Sequence, residues 1–196
     1  MPRIAICGKI CSGKSYISTY LEQNYNFKKY SFGDAVKKYC KEIFGMVNKD
    51  RKLLQLFSKK MKEINNDVWI NIIDQQMNLD INNNIIIDDL RFNNEYEYLK
   101  KKKFIFIKLN IDDELQKERI IETYPDNYQN HLDNRNDNSE KLIDDKAFDY
   151  EFTINKQTQN QLLQYISVII TARSRGDAEC RRSSRGLQGT RRRYLG

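Results

Sequence analysis

Along the first 171 positions the apolar residues follow two alternating rhythms. Short β-branched runs occur at residues 3–7 (RIAIC), 85–89 (IIIDD) and 104–109 (FIFIKL), with alternating runs at 27–32 (FKKYSF) and 150–154 (YEFTI). These predict five strands. Between them, apolar residues three or four apart predict helices over 14–23, 34–44, 50–64, 67–79, 93–102, 111–121 and 157–170. Val36, Cys40, Ile43 and Phe44 fall on one helical stripe, and Gly45 supplies a stop. Residues 124–139 (YPDNYQNHLDNRNDNS) carry no rhythm and read as a polar, mobile loop. The run "IIID" is apolar on both faces, as a buried parallel strand would be. Strands separated by helices imply parallel pairing through right-handed crossovers, hence a three-layer α/β domain with a five-stranded parallel sheet.

Composition changes this picture at one end. The net charge is +7, but residues 172–196 hold eight arginines against Asp177 and Glu179, which is +6 of that total. The body therefore carries only +1, and the basic balance says little about its partners. Residues 172–196 also abandon the Asn, Ile and Lys usage of the body for Arg, Gly and Ser. We read residues 1–171 as one domain. The remainder is an arginine-rich, disordered appendage of cloning or read-through origin, with a nucleic-acid-binding arm as the alternative. The Asn, Ile and Lys bias fits an AT-rich genome and is compatible with a virus. No apolar run nears the roughly 20 residues that cross a bilayer, and residues 1–9 lack a signal-peptide design. A cytoplasmic protein without membrane contact is expected. Four cysteines without a C-x-x-C pair, and a single histidine, His131, argue against a zinc site.

The candidate chemistry begins at the first strand. Gly8-Lys9-Ile10-Cys11-Ser12-Gly13-Lys14-Ser15 fits G-x-x-x-x-G-K-[ST], with a strand before it and a helix after it. A polyphosphate needs a concave cradle of backbone N–H groups, and glycine allows both close approach and unusual dihedrals. The helix N-terminus adds partial positive charge. Residues 8–15, with Tyr16, are the expected nucleotide-binding segment. Lys14 would reach the β- and γ-phosphates, and the Ser15 hydroxyl would bind Mg²⁺. No guanine-reading NKxD stands in a suitable place, and the domain is too short for a motor or helicase core, so a small phosphotransferase is favoured.

A second acidic site follows. Asp88 and Asp89 end the 85–89 strand, where an acid beside the P-loop strand contacts Mg²⁺. The pattern does not decide which of the two faces the metal. Arg91 can clamp a phosphate bidentately. Asp34 would hold the attacking oxygen or a metal-bound water, or it is a helix N-cap.

FGDAVK (32–37), DRKLLQLFSKK (50–60), DVWI (67–70), IIDDLRFNNEYEYLKKKKFIFIKL (86–109), NSEKLID (138–144) and FDYEFTIN (148–155) follow the P-loop in order. This series resembles the deoxynucleoside monophosphate kinases of large DNA viruses and phages. It is also similar to animal-type phosphomevalonate kinases and dephospho-CoA kinases. The resemblance implies ATP and Mg²⁺ as donor and cofactor, a small phosphorylated acceptor (a dNMP), a mobile lid, and leaves a homodimer open. It places Asp34, Lys37, Arg51, Gln55, Trp69, Asp89 and Arg91 around the acceptor. Arg119 becomes the lid arginine over the transferring phosphoryl group, with Arg135 a second candidate. Trp69 equally fits a core position, and Arg51 a solvated helix start. Glycine often stands in the family where this chain has Ser58, arginine near Lys62 and proline near Ala35. The alternatives are a phosphomevalonate or dephospho-CoA kinase. From another class, a nucleic-acid-binding protein would use the arginine tail with ATP as a switch.

Overall fold

Five strands form one sheet: β1 (Arg3–Gly8), β2 (Phe27–Tyr30), β3 (Asn84–Ile87), β4 (Ile105–Ile111) and β5 (Tyr150–Ile154). In this computed structural model, which describes residues 1–80, 82–133, 135 and 143–174, they pair in parallel in the order β2-β3-β1-β4-β5. The register sets Ile4 between Ile86 and Ile105, and Gly8 beside Leu109. Parallel neighbours need crossovers, and the helices supply them. These are α1 (Lys14–Tyr25), α2 (Phe32–Phe44), α3 (Arg51–Ile64), α4 (Val68–Asn78), α5 (Asn93–Lys101), α6 (Asp113–Thr123), α7 (Tyr128–Asp133) and α8 (Leu162–Ser174).

The sheet separates two cores. On one face Ala5, Cys7, Ile85 and Ile87 pack against α2–α5, through Val36, Phe57, Trp69, Ile73 and Leu99. On the other, Ile4, Ile6, Ile86 and Ile107 meet α1, α6 and α8, through Ile17, Leu21, Leu115 and Ile166. The β3 isoleucines are fully buried because both faces are covered. Each such side chain contributes on the order of 2 kcal/mol of transfer free energy. Cys7 belongs to this core, and burial pushes its thiol up to about 12.

Several boundaries differ from the sequence reading, each for a local reason. The second strand stops at Tyr30 because Ser31 caps α2: its hydroxyl accepts the Asp34 N–H at 3.1 Å. The third stops at Ile87, which leaves both aspartates beyond the strand end. Ile111 stays in β4, because Asp112 turns its N–H to the Ile154 carbonyl at 2.8 Å and caps α6 through its side chain. Within the supposed 124–139 loop, residues 128–133 form α7; residues 134 and 136–139 lie outside the described residues. The last helix is preceded by a 3-10 turn at Gln159–Gln161. On the α2 stripe Val36 and Cys40 are buried, but Ile43 and Phe44 are more than half exposed, since the stripe outruns its partner helices. Phe44 still meets Phe57 edge-on at 5.4 Å. The arginine-rich tail from residue 175 onward lies outside the described residues.

Candidate active site

The phosphate-loop segment, the 88–92 turn and the end of β4 meet at the carboxyl edge of the central strands, where open parallel sheets bind ligands. Residues 9–13 form a loop with Cys11 at φ 60 and Gly13 at φ 101, and Gly13 caps α1. Inside it the Lys14 ammonium donates to the Gly8 carbonyl and, at 2.8 Å, to that of Lys9. Ser12 is fully buried, and its hydroxyl has no hydrogen-bond partner among the described residues. An inward lysine, an orphaned buried hydroxyl and left-handed backbone at a helix start are what an anion cradle needs. Ser15 and Tyr16 stand exposed at the start of α1.

Gly8 has a reason the sequence did not show. At φ 151, an added Cβ would lie 2.6 Å from the Leu109 carbonyl oxygen and 2.8 Å from Ser12 Oγ. The close approach that requires glycine there is to the neighbouring strand.

Two residues of α6 hold the loop from outside. Gln116, fully buried, donates through Nε2 to the Ile10 carbonyl at 3.0 Å. One turn on, Arg119 donates to the Cys11 carbonyl at 3.0 Å and to Gln159 Oε1 at 2.9 Å. Sequence reasoning missed Gln116 and Gln159. Their only signal was the i, i+3 spacing of Gln116 and Arg119. Arg119 thus lies against the phosphate loop and lines a cavity of about 390 Å³ with Gly13, Tyr16, Gln159, Asn160 and Leu162. The β5–α8 turn that presents Gln159 is tied down by Asn155, whose Oδ1 accepts the N–H groups of Gln157 and Thr158 at 2.9 Å each.

The two aspartates divide the remaining work. Asp88 turns toward α1: its carboxylate accepts the Ser18 hydroxyl at 2.8 Å and pairs with Lys29 at 2.7 Å. Burial works against the Lys29 charge, but the hydrogen bond and charge of Asp88 outweigh it and raise the ammonium's pKa. Of the two acids, Asp88 shares a side with Ser15, because Ser18 stands one turn along the same helix. Asp89 turns toward α2 instead. It accepts the Ser31 hydroxyl at 2.8 Å, the Gly33 N–H at 2.8 Å and the Phe32 N–H at 3.1 Å. Burial raises its pKa, with Asp88 adding to the rise, while these donors oppose it.

Asp34 does not cap the helix; Ser31 does. Asp34 is exposed and pairs with Lys37 at 2.6 Å. Arg51 and Gln55 are exposed on α3, whose cap is Asp50. Trp69 is 3% exposed, packed against Phe57 and Tyr39, and so occupies a core position. Arg91 is exposed beside the 88–92 turn. His131 stacks on Tyr124 at 3.9 Å; burial, then Arg51 and Lys49, lower its pKa. The Arg135 N–H donates to the Leu132 carbonyl just past α7. Among the described residues no cluster of His, Cys, Asp and Glu could hold a metal alone. A metal here would need ligand oxygens besides those of Ser15 and Asp88.

Glu95 is a further buried carboxyl of this region with a raised pKa. It is 3% exposed and accepts the Arg91 and Phe92 N–H groups at 3.0 Å each. Burial pushes it up to about 7, Asp89 adds to the rise, and the two N–H groups and Lys62 oppose it. A carboxyl raised on folding contributes stability that is full below its unfolded value and is lost as pH climbs through the folded one. Across roughly pH 4.5 to 7 that loss is ~3 kcal/mol at order of magnitude. Glu95→Gln removes the titration. Its stability relative to the wild type should therefore rise between pH 5 and pH 8 in urea titrations; a pH-independent difference would refute the assignment.

A five-stranded parallel sheet, a phosphate loop between β1 and α1, and an acid past the neighbouring strand define the class: an α/β protein of P-loop kinase type. The chain belongs to the AAA-domain family, whose model matches residues 4–151. No curated protein matches it. Solved structures share its fold. Dephospho-CoA kinase from Campylobacter jejuni is 20% identical, with a TM-score of 0.52 over 89% of this chain and 98% of that one. Shikimate kinase from Acinetobacter baumannii, in complex with shikimate, is 17% identical, with a TM-score of 0.52 over 88% and 94%. An uncharacterized protein from Eubacterium ventriosum is 16% identical, with a TM-score of 0.54 over 85% and 99%. No helix among the described residues is long and apolar enough to cross a membrane.

Proposed function

We propose that the protein transfers the γ-phosphoryl group of ATP to a deoxynucleoside monophosphate. The observation that carries phosphoryl transfer is the phosphate loop itself: inward Lys14, left-handed Gly13 and the orphaned Ser12 hydroxyl at the start of α1. The donor's phosphates would lie along residues 8–15. Its base would enter the cavity beside Arg119, Gln159 and Asn160, whose guanidinium and amides suit a heteroaromatic ring with polar edges. Arg119 would then act on the donor from the phosphate-loop side. Ser15 and Asp88 would hold Mg²⁺, which when bound neutralises charge on the transferring group.

The acceptor would enter on the other side of the loop, between the start of α2 and α3. Lys37, Arg51, Gln55 and Arg91 are exposed and would line that entrance, and Asp34 would hold the attacking oxygen. Asp89 fixes the start of α2 and so the positions of Asp34 and Lys37. Catalysis in such a site is mostly positioning plus positive charge from Lys14 and the arginines.

The ordered resemblance of residues 86–109 and 138–155 to dNMP kinases favours that acceptor; the fold equally admits a phosphomevalonate or dephospho-CoA kinase. A coupled ADP-release assay across four dNMPs, phosphomevalonate, dephospho-CoA and shikimate separates these. We expect at least one dNMP to exceed every other acceptor in kcat/KM by tenfold or more, and a higher value for any other acceptor would overturn the choice. Deleting residues 175–196, beyond the end of α8, should leave the rate within about twofold. Loss of nucleic-acid binding on that deletion, with no acceptor phosphorylated by either protein, would favour the arginine-tail alternative instead.

A further inference from the structure

The turn after β3 is latched from several sides, and the latch is a buried carboxyl for which the proposed chemistry has no use. The Glu95 carboxylate oxygen Oε2 takes the N–H groups of both Arg91 and Phe92 at 3.0 Å, from the third position of α5. This is one half of a capping box, but it reaches one residue further back than a cap requires. Lys62 of α3 places its ammonium 3.3 Å from the centroid of the Phe92 ring, and burial lowers its pKa while Glu95 opposes that. Asn94 ties the same turn to the α3–α4 junction, donating to the Asn66 carbonyl at 3.1 Å and to Asp67 at 2.9 Å. Asp89, at the turn's other end, grips the start of α2. The Arg91 backbone is therefore fixed between the two elements that would flank the acceptor.

An exposed helix start does not need a carboxyl sunk to 3% exposure, and burying one is costly unless its bonds serve something. We propose that Glu95 is a positioning residue for the acceptor half of the site. It sets the backbone from which Arg91 meets the acceptor's phosphate. This rests on the acceptor reading above. The phosphate loop has supports of its own: Lys14 bonds the Gly8 and Lys9 carbonyls, Gln116 that of Ile10 and Arg119 that of Cys11.

The test compares wild type, Glu95→Gln and Glu95→Ala. Gln keeps an oxygen for the two N–H groups, whereas Ala removes both bonds. Four quantities are read: KM and kcat with dTMP or whichever dNMP is best, MgATP affinity by calorimetry, and amide hydrogen exchange. With Ala, KM for the acceptor should rise about a hundredfold and kcat change less than fivefold. Exchange over residues 90–96 should quicken at least tenfold, with MgATP affinity and exchange over 8–15 within twofold. Gln should recover much of the KM loss. Acceptor KM unchanged in Glu95→Ala overturns the proposal, as does a parallel loss of MgATP affinity, which marks a general folding defect. If Ala does not fold, Gln decides alone: KM raised about tenfold with unchanged MgATP affinity supports the proposal, and an unchanged KM overturns it. A wild type that binds MgATP but phosphorylates no dNMP sinks the acceptor reading. The Glu95 assignment then stands or falls on whether exchange over 90–96 quickens while that over 8–15 does not.

Discussion

Lys14→Ala is expected to lower turnover by about a hundredfold to a thousandfold while the protein stays folded. The expectation combines position and charge. The ammonium lies within the loop, bonded to the Gly8 and Lys9 carbonyls, so it is already held at the place where a bound polyphosphate would need it. A preorganised cation aimed at developing charge in a water-poor site gives ~3–4 kcal/mol, or two to three decades of rate. Lys14 also shares the loop with the start of α1, so its loss removes the principal positive charge from that end. The fold should tolerate the change because the Gly8 and Lys9 residues are partly exposed and water can replace the lysine on their carbonyls. Steady-state rates, with circular dichroism on the same samples, check this. Near-wild-type turnover from a folded Lys14→Ala protein would remove Lys14 from the chemistry.

Gly8→Ala should act on the fold before it acts on the reaction. The added methyl would sit 2.6 Å from the Leu109 carbonyl oxygen and 2.8 Å from Ser12 Oγ, at a φ of 151 that side chains rarely adopt. The Leu109 oxygen belongs to a central strand paired on both sides, so it cannot retreat without disturbing β4. Overpacking costs ~1–3 kcal/mol and backbone strain of this kind a similar amount. Together they give a loss of about 4 kcal/mol, a large share of a domain's typical stability. Urea unfolding should show a midpoint lowered to match, or no soluble folded protein. Gly13→Ala makes the informative contrast. Its Cβ would meet nothing nearer than 3.9 Å, so the cost there is conformational only, despite a φ of 101. If the two substitutions cost the same, the close approach of β1 to β4 is not what fixes Gly8.

The parts of the molecule that were legible in the sequence are those where a local pattern and its context agree. β1, the phosphate loop and α1 satisfied both a periodicity and a motif, and the all-parallel sheet followed from alternation alone. What escaped depended on contacts distant along the chain. Ser31 and Asp34 are both able to cap a helix, and only the geometry of Asp89, which draws in the Ser31 hydroxyl and the next amides, decides for Ser31. Asp88 and Asp89 are indistinguishable by pattern, yet Lys29 and Ser18 claim one and α2 the other. Arg119 was assigned through a resemblance to a lid, but its partners, Cys11 and Gln159, are far from it in sequence. Glu95 reads as an ordinary acid in a first helical turn, and nothing local announces its burial. Ile43 and Phe44 continue a correct stripe past the helices that could cover it.

The central claim is that the bend after β1 receives the phosphates of a nucleoside triphosphate. Isothermal titration of the folded protein with MgATP tests it most directly, with Lys14→Ala run in parallel. Saturable binding at one site per chain, weakened at least tenfold by Lys14→Ala, is the expected result. No detectable heat or competition with any purine triphosphate, from protein whose circular dichroism shows the α/β fold intact, would contradict it.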